Sequence, residues 1–305
     1  MAKRVLIAAD VESSLLDLLR HDKRFDVTYK PVRDLKGIET DCEILITRTF
    51  NKVTDAVMNG APNLRVIAQG TSGIDNIDLA AAGKRGITII SLPGINANAV
   101  AELVIGCIIA LTRTVPAYTR QVANGAWHRE DCATRHELRH YRLGIVGLGQ
   151  VGRRVAKLAA AFDMRPAAVD PYLSDADFAE RGAERVQSFD ELLTASDIVT
   201  MHVPLTPETN RMLGEAQLRR LAKDAIVINA SRGEVVDQHA LLAALASNHL
   251  GGVALDVLDP EPPGTIFPDD PRLIVTPHIA GCSYECKNDA AEALYQRLCD
   301  WVSSN

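Results

Sequence analysis

Short aliphatic runs recur along the first third of the chain, each the length of a buried strand: Val5-Leu6-Ile7-Ala8, Ile44-Leu45-Ile46, Arg65-Val66-Ile67-Ala68 and Ile87-Thr88-Ile89-Ile90. Helix-length segments separate them, Leu15 to Leu19 carrying the clearest apolar spacing. Apolar strands alternating with helices predict a parallel sheet with both faces covered. The same rhythm returns with Leu143 to Val146, Ala167-Ala168-Val169, Ile198 to Val203, Ala225 to Asn229, Val253 to Val257 and Leu273 to Val275. The pattern therefore predicts an α/β protein of two doubly wound parallel-sheet domains. Between the two series lies a helix that is apolar nearly all round, Leu103 to Leu111, which predicts burial between domains or subunits. The boundary is placed near residue 98. The C-terminal segment Asn288 to Val302 is amphipathic, with Ala290, Ala291, Ala293, Leu294 and Leu298 on its apolar side. It must either cap the second domain or cross back to the first.

Length agrees with this division, since 305 residues is about twice a common domain size. A net charge of −6 without a long basic run argues against nucleic acid and anionic membrane as partners. The cysteines at 42, 107, 132, 282, 286 and 299 form no CxxC and no zinc-like Cys/His spacing, so no metal site is expected. Cys282 and Cys286 read as reduced thiols near a helix start, and His128, His136 and His140 as solvated loop residues. The N-terminal apolar run is too short for a signal sequence, and Leu103 to Leu111 is too short to span a bilayer. A reduced, cytoplasmic protein is the expectation.

The most informative stretch is Leu143-Gly144-Ile145-Val146-Gly147-Leu148-Gly149-Gln150-Val151-Gly152. A strand runs into G-x-G-x-x-G, and a helical pattern follows through Val155, Leu158, Ala159 and Phe162. Gly147 allows the tight turn, Gly149 lets backbone approach a pyrophosphate, and Gly152 lets the helix lie close to the sheet. The helix N-terminus then offers N–H groups and partial positive charge to the diphosphate. The next strand ends in Asp170, where a carboxylate accepts from the adenosine ribose hydroxyls and repels a 2′-phosphate. That combination predicts NAD as the cofactor.

Three further strand-end turns carry polar residues that could do chemistry. Arg232 lies in Asn229-Ala230-Ser231-Arg232-Gly233, Glu261 follows Asp256-Val257-Leu258-Asp259-Pro260, and His278 lies in Thr276-Pro277-His278-Ile279-Ala280-Gly281. A guanidinium matches a carboxylate bidentately, and an imidazole can exchange the proton that accompanies hydride transfer. A carboxylate near that imidazole favours its charged form. Singly, each has an ordinary structural explanation; together, beside a nicotinamide, they form an anchoring and acid/base set. In the first domain the loop Gln69-Gly70-Thr71-Ser72-Gly73 reads equally as an anion-binding nest or as a plain glycine turn before a helix cap.

These motifs, in this order and with His202-Val203-Pro204-Leu205-Thr206, resemble those of the D-isomer-specific 2-hydroxyacid dehydrogenases across nearly the whole chain. Asn96 with Val100-Ala101-Glu102, and the loop Gly73 to Asp78, resemble that family too. The resemblance implies an NAD-linked oxidoreductase interconverting a D-2-hydroxy acid and its 2-keto acid. It further implies a Rossmann NAD-binding domain over 99–281, a flavodoxin-like substrate domain of 1–98 plus 282–305, and a homodimer built on the nucleotide domains. Arg232 would anchor the substrate, His278 would be the acid/base and Glu261 its partner, with Thr71, Ser72, Gly73 and Asn96 also at the substrate. Gly147, Gly149, Gln150, Val151, Gly152, Asp170, His202, Val203, Ala230, Ser231 and Gly281 would meet the cofactor, and Asp256 its nicotinamide amide. The family's phosphoglycerate dehydrogenases carry an arginine where Gln69 stands, although Arg48 and Lys52 match their basic positions. Phosphoglycerate, hydroxypyruvate, glyoxylate and other short 2-keto acids thus stay open. The family also includes an NAD(H)-sensing corepressor, which is the alternative reading.

Overall fold

The computed structural model describes residues 1–129, 136–264 and 266–304, so Cys132 lies outside the described residues. The chain divides into two units, Met1–Asn96 with Cys282–Asn305, and Ala97–Gly281. The first break falls two residues before the expected position because a helix begins at Ala97, and a cut at 98 would run through its first turn.

The first unit contains β1 (Lys3–Ile7), α1 (Ser13–His21), β2 (Phe25–Tyr29), β3 (Ile44–Thr47), α2 (Asp55–Asn59), β4 (Val66–Gln69), α3 (Leu79–Lys84) and β5 (Thr88–Ile90). Its sheet is parallel in the order β2-β1-β3-β4-β5, the flavodoxin-like order. Because side chains alternate along a strand, β3 sends Ile44 and Ile46 into a core with Leu15 and Leu19 of α1. Its Leu45 enters the opposite core with Val57 and Met58 of α2.

The second unit begins with α4 (Ala97–Thr112) and α5 (Val115–Ala123). There follow β6 (Arg142–Val146), α6 (Gln150–Ala160), β7 (Arg165–Val169), α7 (Asp175–Glu180), β8 (Glu184–Arg185), α8 (Phe189–Ala195) and β9 (Ile198–Met201). The series closes with α9 (Glu215–Leu218), β10 (Ala225–Asn229), α10 (Gln238–Ala246), β11 (Leu250–Leu255) and β12 (Leu273–Val275). The parallel order β12-β11-β10-β9-β6-β7-β8 is that of a dinucleotide-binding sheet with one added strand. Its topological switch lies between β6 and β9, at the glycine turn.

The apolar helix α4 is an internal element of this second unit. Val104, Ile105, Ile108 and Leu111 pack with Val155 and Ala159 of α6 and with Ile145, Ile198 and Ile228 of the sheet. Much of its apolar surface is thus buried within the unit, while Leu103 and Ile109 are only partly covered. No single helix among the described residues is long and apolar enough to cross a membrane; only α4 with α5 reaches that length, across a 61° bend.

Two strands escape the hydrophobic pattern, β2 and β8, and both lie at sheet edges. In β2 only Phe25 is fully buried, and β8 is two residues long, as edge strands often are. The C-terminal α11 (Tyr284–Ser304) returns to the first unit, where Ala290, Leu294 and Leu298 join the α1 core. Tyr295 donates its hydroxyl to Asp22 at 3.0 Å beside the Asp22–Arg24 ion pair.

Leu298 is completely buried, so Leu298→Ala should cost about 2–5 kcal/mol of stability. Chemical denaturation followed by circular dichroism measures this; an unchanged midpoint would remove the helix from that core.

Candidate active site

The glycine turn is shaped by contacts that exclude a Cβ. At Gly147, with φ +86°, a Cβ would lie 2.7 Å from the His202 carbonyl oxygen and 2.9 Å from Val203 Cγ1. At Gly152 it would lie 2.1 Å from the Gly147 carbonyl oxygen. The turn is therefore compressed between β9 and the first turn of α6. Gly149 is the N-cap of α6 and supplies no side-chain cap, so the first N–H groups of the helix stay available to an anion. Asp170 faces this turn: its Oδ2 accepts from Leu148 N–H and its Oδ1 from Tyr172 N–H, both at 3.0 Å. A bare helix N-terminus, a turn that excludes a Cβ at Gly147 and Gly152, and a carboxylate hydrogen-bonded to that turn fit a dinucleotide.

His202 also lies at the switch point. Its Nε2 is 2.9 Å from Thr200 Oγ1, its buried Nδ1 has no hydrogen-bond partner among the described residues, and burial lowers its pKa to about 3. It is a neutral imidazole. Gln150 accepts from Arg153 at 2.5 Å, and Val151 stands in the uncapped first turn.

The second half of the site is built by the ends of β10, β11 and β12. Asn229 organises the first turn: its Oδ1 accepts from Ser231 N–H (3.1 Å) and Oγ–H (2.7 Å), and its Nδ2 donates to the Arg232 carbonyl (2.8 Å). Ser231 is thereby committed to shaping the turn, and Ala230 lines a small cavity with Cys107, Asp256 and Thr276. Gly233 then passes so near the next turn that a Cβ would lie 2.1 Å from the Leu258 carbonyl oxygen. This approach brings the Arg232 and Glu261 turns together. The Arg232 Nη1 donates to the Ser231 carbonyl at 2.7 Å, and the side chain is half-buried.

Asp256 ties the third turn to the second. It is 5% exposed and accepts from Thr276 Oγ1 (2.5 Å), Ile279 N–H (2.9 Å) and Ala280 N–H (2.9 Å). Its carboxylate thus organises the loop that carries His278. His278 itself has φ +55°, a left-handed conformation that is unfavourable for a side-chain-bearing residue. The bond from its N–H to the Asp256 carbonyl, 2.8 Å, helps hold that conformation. Gly281 ends the loop at the last position of the unit.

The loops converge on one pair: His278 Nδ1 lies 2.8 Å from Glu261 Oε2, while Glu261 Oε1 accepts from Leu258 N–H at 2.9 Å. The hydrogen bond to Glu261 raises the His278 pKa, with the charges of Glu261 and Asp256 adding; burial and Arg232 oppose it. Burial by itself would raise the Glu261 carboxyl, but hydrogen bonds from His278 and Leu258, with the charges of His278 and Arg232, lower it. The two shifts agree on a charged pair. Their contribution to stability is fully present between the ordinary carboxyl value of 4.5 and the ordinary imidazole value of 6.5. It fades as pH rises through the raised His278 value, or falls through the lowered Glu261 value. Burial, followed by the charge of Asp256, pushes the Cys107 thiol up to about 11, which keeps it neutral.

In the first unit, Thr71, Ser72 and Gly73 follow β4. Ser72 Oγ donates to the Leu92 carbonyl or to Asn96 Oδ1, at 3.1 and 3.0 Å, and accepts from Gly94 N–H at 3.0 Å. Gln69, fully buried, donates to the Gly73 carbonyl (2.7 Å) and accepts from Asn76 Nδ2 (2.7 Å) and Thr47 Oγ1 (3.1 Å). An uncharged network thus supports the loop. Arg48 is paired with Glu12 at 2.9 Å and donates to the Asp10 carbonyl at 3.1 Å. Among the described residues no cluster of His, Cys, Asp or Glu could hold a metal.

Sequence reasoning missed Asn229, Gly233 and Thr276 as builders of the site. An Asn at a strand end before Ser-Arg-Gly is a turn signal, but the close approach at Gly233 joins segments far apart in sequence.

Residues 105–280 match the family described as D-isomer specific 2-hydroxyacid dehydrogenase, NAD binding domain. A glyoxylate reductase of Korarchaeum cryptofilum is 39% identical over 267 residues, 85% of this chain and 79% of that protein. A D-3-phosphoglycerate dehydrogenase of Archaeoglobus fulgidus is 35% identical over 93% of this chain, which spans only 54% of that longer protein. The crystal structure of a glyoxylate reductase from Paecilomyes thermophila superposes with a TM-score of 0.88 at 26% identity, covering 99% of this chain and 95% of that one.

If Glu261 is the main cause of the raised His278 proton affinity, Glu261→Gln should move the imidazole titration to lower pH, measured by NMR. An unmoved titration would assign the shift to another group.

Proposed function

Because the chain belongs to the D-isomer-specific 2-hydroxyacid dehydrogenase family, we propose that it interconverts a short D-2-hydroxy acid and its 2-keto acid with NAD. The observation that carries this reading is the Glu261–His278 pair, set on strand ends of the same sheet whose switch point holds the glycine turn and Asp170. NAD, when bound, accepts or supplies the hydride. The uncapped start of α6 would hold its diphosphate, and Asp170 its adenosine ribose.

The protein's own groups manage charge and protons. In the reductive direction His278, kept protonated by Glu261, donates its Nε2 proton to the substrate oxygen as that oxygen gains charge. In the oxidative direction the neutral ring takes the hydroxyl proton back through the same nitrogen. Nδ1 remains engaged with Glu261 throughout, which fixes the ring. Arg232 presents a fork of donors to the carboxylate and carbonyl oxygens of the substrate.

The first unit supports an unphosphorylated substrate. Its Thr71-Ser72-Gly73 loop offers backbone N–H groups and no cationic side chain, Gln69 replaces a charge with a buried amide, and Arg48 is already paired with Glu12. Such a loop suits one carboxylate better than an added phosphate.

A homodimer is proposed through α5. This helix buries none of its residues, and Val115, Val122 and Trp127 are 48%, 54% and 78% exposed on it or just beyond it. A second copy of the chain, presenting the same apolar row, would cover them.

NADH consumption should appear with hydroxypyruvate, glyoxylate or pyruvate and be weaker with phosphohydroxypyruvate. His278→Ala should reduce it on the order of 10²–10⁴-fold, and Arg232→Ala should nearly abolish it. Tight NADH binding without turnover on any keto acid would overturn the dehydrogenase reading in favour of an NAD(H)-sensing protein. For the dimer, light scattering should give twice the chain mass, and Trp127→Glu should halve it; a monomeric parent protein would refute the assembly.

A further inference from the structure

Leu148 stands between two glycines in the turn that leads into α6, and both of its backbone polar groups are held by side chains from the following βα unit. Its N–H donates to Asp170 Oδ2 at 3.0 Å, and its carbonyl accepts from Arg181 Nη1 at 2.8 Å. Asp170 directly follows β7, and Arg181 is the C-cap of α7, so consecutive elements supply the two grips. Arg181 is itself placed by its surroundings. Ser174 and Asp177 form a capping box at the start of α7, Asp177 Oδ1 lies 4.0 Å from Arg181 Nη2, and Gly182 at φ +73° turns the chain away.

The carbonyl and the N–H of a trans peptide point in opposite directions. A Leu148 carbonyl drawn to Arg181 therefore turns the Gly149 N–H to the other side. Without that grip the peptide would be held less firmly on its Gly149 side, where no Cβ resists rotation. Gly149 provides no side-chain cap to α6, so the direction of the first N–H groups depends on this turn.

We infer that Arg181 is a positioning residue for the dinucleotide: its guanidinium fixes the Leu148–Gly149 peptide so that the Gly149 N–H and the uncapped first turn of α6 face the diphosphate. Asp170 holds the neighbouring peptide and ties the ribose end of the cofactor to the same turn. The charge on Arg181 serves the loop through a charge-assisted hydrogen bond, without touching the reacting atoms. The inference rests on the proposed use of NAD.

The test measures NADH binding by calorimetry and turnover separately, in Arg181→Met and Arg181→Lys. Loss of a charge-assisted hydrogen bond predicts binding about tenfold weaker in Arg181→Met. The KM for NADH should rise in parallel, while kcat at saturating NADH and the KM for the keto acid stay within about twofold. Arg181→Lys, which keeps a donor, should recover most of the loss. A folded Arg181→Met that binds NADH as the parent does would overturn the assignment, and so would an Arg181→Lys that shares the full loss. Binding is read directly, so absent turnover would count against the dehydrogenase reading alone; a parent that bound no NADH would overturn both.

Discussion

The close passage of two backbones at Gly233 is the constraint on which the chemistry of this protein depends. With no Cβ at that position, the turn after β10 can lie against Leu258 and Asp259 in the turn after β11. Arg232 and Glu261 then share one electrostatic environment, and Glu261 reaches His278 at 2.8 Å. Any side chain at 233 would have to separate those turns, and the three groups would lose their common field.

Around that contact, buried and half-buried polar groups serve as scaffold. Asn229 shapes the Arg232 turn, Asp256 shapes the His278 turn, and Asp170 holds the glycine turn by Leu148 N–H. Each uses a side-chain oxygen or amide to satisfy backbone groups that a parallel sheet leaves unpaired at its C-terminal edge. The unfavourable backbone of His278, at φ +55°, persists because such hydrogen bonds surround it. Polar residues at the strand ends therefore include several whose hydrogen bonds are spent on holding loops.

The two sheets carry different burdens. In the second unit the order of strands creates a switch point, and the glycine turn, His202 and Asp170 gather there. In the first unit the loop after β4 rests on an uncharged network through Gln69 and Asn76, and Arg48, whose carbonyl accepts from Asn76, is paired with Glu12. Charge is concentrated on the strand-end turns of the second unit, whereas the first unit's loop rests on uncharged amides and hydroxyls.

The sequence by itself determined the interior strands, the glycine turn and the identity of the polar strand-end residues. Continuous aliphatic runs, G-x-G-x-x-G before a helix, and Arg, Glu and His in turns are local signals, because each follows from what a single segment must bury or expose. Only the tertiary structure decided the rest. β2 and β8 form because a neighbouring strand offers hydrogen bonds to an edge, which no apolar run announces. The apolar helix α4 belongs inside the second unit because α6 and the sheet surround it. The C-terminal helix joins the first unit because its stripe of Ala290, Leu294 and Leu298 fits the core of α1. Asp256 organises a loop because Thr276, Ile279 and Ala280 fold back onto it, a role that no local signal announces. These outcomes depend on which distant segments meet, and local hydrophobicity carries no record of that.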